Sequence, residues 1–264
     1  MVRALLIRGM FVGFIAGLLA FGFAKVFGEP HIERAIAIET SGEAHNAAHS
    51  HDRGVVVLPA PHEPPRLSAE SGLVSRDIQA GIGLFTGIVV YATAMGGLFS
   101  LVFAFANGRA ARVSPRAMSA LLSGAGFVAI TLVPTLKYPA SPPGVGGPES
   151  IGYRSALFFA MLAISIIAMG GAAVLRQTLA KHQDGWSAAL NAAGAYLVII
   201  IAANLLLPDV DVVPDNFPAV LLWQFRLAAL GMQLILWATM GLLFGVLTER
   251  AAIQAANPYR ESSR

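Results

Sequence analysis

Six apolar stretches, each near the length of a bilayer crossing and free of charge through its middle, dominate this chain. Spanning about 30 Å of hydrocarbon at 1.5 Å per residue takes roughly 20 residues. Such runs extend from Gly9 to Phe27, within Ile78 to Gly108, and from Ala117 to Leu136, Ser155 to Leu175, Trp186 to Leu207 and Leu227 to Thr248. Lys25 sits near the end of the first, where its long stem lets the ammonium reach the interface. In lipid every backbone polar group must be paired internally, so runs of this length form helices. The expected fold is an all-α integral membrane protein, a polytopic bundle of about six transmembrane helices with an extracytoplasmic loop after the first. The chain divides into an N-terminal span (1–27), a His- and acid-rich loop (28–77), a five-helix membrane bundle (78–250) and a tail (251–264).

Composition supports this division. Only 12% of the 264 residues are charged, about half the density of a soluble domain. That leaves too little polar surface to coat a water-soluble globule. The net charge of +3 resides in short segments between apolar runs, without a basic stripe and interleaved aromatics, so nucleic acid is not an expected partner. Cysteine is absent, which removes thiolate metal sites and cysteine nucleophiles together. The first run follows Arg3 and Arg8 but slightly exceeds a typical signal-peptide core, and no small-x-small site precedes Gly28. It is expected to remain as a span.

The flanking charges orient the bundle. With the N-terminus inside, ten of the 18 basic residues fall in short cytoplasmic segments, and 12 of the 15 acids fall outside. Both termini are therefore expected in the cytoplasm of a bacterial cell, with the bundle in its inner membrane. Glycines repeat at spacing four in Gly9-Gly13-Gly17, Gly83-Gly87 and Gly241-Gly245, as small residues do where helix backbones approach closely in lipid. Met161, Met169, Met232 and Met240 read as core filling.

Chemistry concentrates at the exterior helix ends. His45 and His49 are four apart, on one helical face, with His51 able to join them if the turn ends there. With Glu43 and Asp52 alongside, this set suits cobalt, nickel or zinc alike, and the lack of thiolate argues against a soft-metal site. A second constellation follows the first span. Pro30 reads as the opening of a new helix, and Glu29, His31, Glu33 and Glu39 offer further metal ligands at the membrane surface. Asp209 lies at similar depth beyond the fifth span. Arg76, Lys137, Arg154, Asn204 and Arg226 complete a polar exterior vestibule. The segment 137–154 carries too much proline and glycine for a helix, and Val55–Leu58 reads as a short strand-like run. No phosphate-binding glycine loop, HExxH pattern or nucleophile–base pair is present, so an enzyme is not expected. No charged residue occupies the middle of a span.

Several of these segments carry a family resemblance. Glu29-Pro30-x-Ile32-Glu33-x-Ala35-Ile36-x-x-Glu39 resembles the opening of the CbtA-type predicted cobalt transporter subunits. Val74-Ser75-Arg76, Gln79, Gly81 and Gly83-Leu84 resemble the start of that family's second span. Lys137-Tyr138-Pro139-Ala140-x-Pro142-Pro143 resembles its lysine–tyrosine–proline loop, with Ser141 where asparagine is expected. Leu207-Pro208-Asp209, Pro214, Phe217-Pro218, Trp223 and Phe225-Arg226 resemble its late exterior loop. The pieces occur in family order along nearly the whole chain. The resemblance implies a subunit for Co2+ uptake linked to cobalamin supply, with no bound cofactor and with Gln79 and Tyr138 in the vestibule. It also implies a small single-span, histidine-bearing CbtB-type partner beside the lipid, and leaves homo-oligomerisation open. The family is often described with five spans, against the six read here. The competing class is a non-transporting membrane scaffold or metal-sensing assembly factor that binds a partner through its exterior loops.

Overall fold

The computed structural model describes residues 2–51, 75–107, 113–146, 148–210, 213–214 and 216–256; for positions 42–51, 148, 149 and 256 only the backbone is described. Among these residues the regular secondary structure is all helical, with no strand. Helix α1 (Val2–Phe23) passes through a π turn, π1 (Ala24–Gly28), into α2 (Glu29–His51). The short α3 (Arg76–Ile78) leads through π2 (Gln79–Gly83) into α4 (Leu84–Asn107), and α5 (Pro115–Gly126) leads through π3 (Phe127–Leu132) into α6 (Val133–Lys137). Helices α7 (Pro148–Leu179), α8 (Gly185–Leu206) and α9 (Ala219–Ala256) complete the chain. Six of the resulting helices are long and apolar enough to cross a membrane. The protein is a multi-pass membrane protein.

The helices extend beyond the apolar runs because polar flanks continue the same hydrogen-bond ladder. At Gly28 the first helix does not end, so Pro30 lies inside a continuous helix and does not open a new one. Its ring removes the bond to the Val26 carbonyl and would clash there in a regular α-turn. The π turn just upstream resolves this, its last bond running from the Glu29 N–H to the Ala24 carbonyl. Pro134 repeats the arrangement, with π3 ending on a bond from the Val133 N–H to the Val128 carbonyl. The third turn, π2, contains Gly81 and Gly83 and no proline. All three turns lie toward the same end of the bundle. The segment 137–154 is likewise helical from Pro148, which opens α7. Proline is favoured at a helix start, where its missing N–H would have no partner. The strand-like run Val55–Leu58 lies outside the described residues.

Two packing units follow. The first, second, third and sixth helices form a four-helix bundle, and the α7–α8 hairpin leans on it through α6 and π3. In the bundle α1 and α4 meet backbone to backbone. A Cβ at Gly9 would strike the Gly96 carbonyl, and one at Gly13 the Ala92 carbonyl. Below them Val12, Ala16, Phe99, Phe103, Trp237, Met240 and Phe244 form the core, where Phe244 makes edge contacts with Phe99 at 5.5 Å and Phe103 at 5.0 Å. Gly241 and Gly245 lie against Ser123 and Ser119 of α5, so this pair packs as expected. The pair Gly83 and Gly87 differs: Gly83 meets only its own turn and Gly87 faces open space. Polar side chains in the core donate across to the neighbouring helix. Ser119 Oγ donates to Gly241 O at 2.8 Å, Ser123 Oγ to Trp237 O, and the Trp237 indole to Thr131 Oγ1 at 3.1 Å. In the hairpin, Ser165 and Tyr196 share a hydrogen bond of 2.9 Å amid Met161 and Ala168. Asp184 caps α8 by accepting from the Trp186 and Ser187 N–H groups.

Candidate functional site

The end of the bundle bearing the three π turns also collects its polar side chains. Where π1 faces π2, Lys25 Nζ donates to the Ala80 carbonyl at 3.1 Å, an acceptor inside π2, where the regular ladder is interrupted. One turn further out, Arg76 pairs with Glu29. The Glu29 side chain is only 4% exposed, and a buried carboxylate without a partner would be strongly destabilising. Its guanidinium partner is therefore a structural requirement as much as a chemical feature.

Above this pair two irregular segments close over the base of α2. Residues 138–146 form the first. Gly144 at φ 77° and Gly146 at φ 86° adopt left-handed backbone that L side chains rarely enter,. A Cβ at Gly144 would also press on Glu39 at 3.3 Å. Two arginines hold the segment by its carbonyls: Arg154 Nη1 donates to Val145 O at 3.1 Å, and Arg226 Nε to Ala140 O at 3.4 Å. The second segment follows α8. Lys137 pairs with Asp209, and the Tyr138 hydroxyl donates to Pro208 O at 2.8 Å. Desolvation pushes the Tyr138 phenol above its ordinary value, the neighbouring Lys137 opposing that and Tyr153 and Asp209 adding to it. Ala35 and Ile38 of α2 meet Val145, Val213, Phe217, Leu221 and Leu222 in a small apolar cluster that seals the two segments against the helix.

The expected vestibule residues thus converge, but mostly on one another. Glu29 and Asp209 belong to separate ion pairs, Glu33 is exposed, and Glu39 lies exposed beside Gly144. Among the described residues no three His, Asp or Glu side chains gather to hold a metal. Asn204 is half-buried beside Ala203, which packs with Tyr138 and Leu207. Gln79 is exposed within π2.

His31 keeps unspent capacity. It is half-buried one turn below Ala35, and its Nδ1 is buried with no hydrogen-bond partner, as is Arg76 Nε. The backbone at His45, His49 and His51 is helical, where a loose loop was expected. Positions 45 and 49 therefore share a face, whereas at about 100° per residue position 51 is turned about 160° from 49. Their side chains lie outside the described residues.

Sequence reasoning misses the Lys25–Ala80 bond and the π turns. Proline inside an otherwise helical pattern signals the turns at Pro30 and Pro134. Nothing local signals the one before Leu84 except its two glycines.

No curated protein and no solved structure matches the chain. The family model described as "Probable cobalt transporter subunit (CbtA)" matches residues 2–249, a span that takes in the residues of the polar end, five of the six long helices and most of the sixth. The chain belongs to the CbtA family of probable cobalt transporter subunits.

Proposed function

We propose that this protein is the membrane subunit of a Co2+ uptake system serving cobalamin supply, working in the bacterial inner membrane beside a small single-span CbtB-type subunit. The observation that carries this reading is a family match over nearly the whole chain, coinciding with a polar cap on one end of an otherwise apolar bundle. That cap is read as the exterior mouth, both termini being cytoplasmic. The histidine-bearing α2 offers His45, His49 and His51 for loose capture, His31 offers a buried imidazole nitrogen, and Glu29, Glu33, Glu39 and Asp209 offer carboxylates. Uptake needs no hydrolytic chemistry in this chain. An inward-negative potential favours cation passage by about 2.3 kcal/mol per charge per 100 mV.

A second reading has its own support. Because Glu29 is buried on Arg76 and the exposed Asp209 balances Lys137, the polar end also suits a non-transporting scaffold whose capped loops bind a partner.

Flux of radioactive cobalt into vesicles holding this chain and its partner subunit separates the two. Uptake above that of empty vesicles is expected, and its absence with folded protein removes the transport reading. Within a transporting system, Glu29→Gln is expected to abolish uptake. Combining it with Arg76→Gln, which removes the stranded cation, is expected to restore folding but not flux. Recovery of flux in the double variant would show that Glu29 only balances Arg76.

A further inference from the structure

Toward the end of the bundle opposite the polar cap, α5 and α9 leave a half-open groove of about 260 Å3 between them. Ala120, Gly124 and Phe127 of α5 and Trp237, Ala238 and Leu242 of α9 line it. Ala120, Gly124, Ala238 and Leu242 are exposed, so the groove opens outward to the bilayer. It exists because Gly124 contributes no side chain: a Cβ there would find nothing within 4 Å. The lining offers no free polar group. The Ser123 hydroxyl is spent on Trp237 O, and the Trp237 indole on Thr131 Oγ1. A depression of this kind forfeits dispersion contacts unless something apolar fills it.

Charge waits at its outer end. Arg116, exposed, stands one turn beyond Ala120, and its Cα is 3.2 Å from where a Cβ on Gly245 would lie. The helical rise sets Arg116 about 16 Å from Phe127, close to half of the roughly 30 Å of hydrocarbon. The groove is therefore one leaflet deep, with an arginine at the level of the headgroups. The same end of the four-helix bundle carries Arg3, Arg8 and Arg250 against one described carboxylate, Glu249. Among the described residues no ion pair joins any of these arginines to it. Arg8, half-buried, donates to the neutral Thr248 Oγ1 at 3.5 Å.

We propose that this groove holds an acyl chain of an anionic phospholipid, whose phosphate rests against Arg116 in the positive field of the other three arginines. Basic positions between membrane helices select anionic headgroups in this way, and a guanidinium matches the phosphate oxygens with paired donors. A neighbouring helix would account for the apolar lining but leave the excess of arginine unmatched; a phospholipid answers both. The site stands apart from the uptake reading and survives its loss.

The test uses the full chain carrying Trp186→Phe and Trp223→Phe, both exposed positions, so that Trp237 is the one tryptophan left of three. In vesicles of phosphatidylcholine, lipids with brominated chains are added, since bromine quenches an indole it touches. Brominated phosphatidylglycerol is expected to quench Trp237 with an apparent affinity about fivefold above that of brominated phosphatidylcholine, the effect of about one arginine near a membrane surface. Raising the salt concentration should shrink the ratio. Arg116→Gln is expected to bring it close to one while quenching by phosphatidylcholine stays. Gly124→Leu, whose side chain enters the open groove, is expected to cut quenching by both lipids. Arg116→Gln, at an exposed position, decides the matter if Gly124→Leu fails to accumulate. Equal quenching by the two lipids in the parent, or a preference untouched by Arg116→Gln, overturns the proposal. Loss of the preference on adding glycerol phosphate at matched ionic strength would reassign the arginine to a free anion. Absence of quenching together with disulfide-linked dimers of Gly124→Cys would give the groove to a second copy of the chain, and either result overturns the lipid site.

Discussion

Glycine at 13 shows how one missing side chain sets a helix interface. Its Cα faces the Ala92 carbonyl so closely that any Cβ would overlap it, and Gly9 and Gly96 make the same reciprocal contact one turn away. In lipid no hydrophobic drive pushes helices together, so this contact works through dispersion and weak Cα–H···O bonds at short range. Gly13→Leu would force α1 and α4 apart and open the core around Val12 and Phe103. Overpacking of this kind costs about 1–3 kcal/mol or more. Thermal unfolding in detergent should show a clear drop in midpoint for Gly13→Leu and almost none for Gly87→Ala, whose Cβ would enter open space. Equal behaviour of the two variants would contradict the backbone contact. Spacing alone does not distinguish these glycines, since both belong to four-residue repeats; only the path of the neighbouring helix separates them.

At the scale of the element, Pro30 and Pro134 each stand two residues after the end of a π turn. A proline in a regular helix interior is destabilising by about 3 kcal/mol, and the widened turn relieves part of that by shifting the register of the bonds before the ring. The shift has a consequence downstream. It rotates everything after π3, including Lys137 and Tyr138, which then reach Asp209 and Pro208. Pro134→Ala restores an N–H and lets the turn relax to α, carrying Lys137 and Tyr138 around the axis by up to about 100°, one residue of twist. Cysteines at 137 and 209 should cross-link efficiently on the native register and poorly when Pro134→Ala is added. Undiminished cross-linking would mean that Trp237, bonded to Thr131 within π3, holds the turn without the proline's help.

For the molecule as a whole, the α7–α8 hairpin and the four-helix bundle meet mainly through α6 and π3. The 50 residues of α1, π1 and α2 form one continuous helix, about 75 Å long at the helical rise. That exceeds the membrane by far, so α2 projects from the face that carries the polar cap. Cysteines introduced as Ser50→Cys and Ser262→Cys, in a chain without any, test which face this is. An impermeant thiol reagent on intact cells should label position 50 and spare position 262. Labelling of both would break the six-span arrangement with both termini inside.

What the sequence by itself determined is the class of fold and the confinement of charge to the helix ends. Apolar runs near 20 residues require helices in lipid whatever their neighbours, and the scarcity of charge confines polar residues to helix ends, so both are local properties of the chain. The family resemblance rests on the same short motifs and is legible for the same reason. Only the tertiary structure decided how that chemistry is spent. Whether Glu29 is a free ligand or the partner of Arg76 depends on two residues 47 positions apart. Whether the buried Lys137 finds a counter-ion in the exposed Asp209 depends on two that lie 72 apart. Pairings of this kind arise from how helices cross and twist, with a single π turn re-aiming every residue after it, and composition and spacing along one helix carry no record of which neighbour it meets.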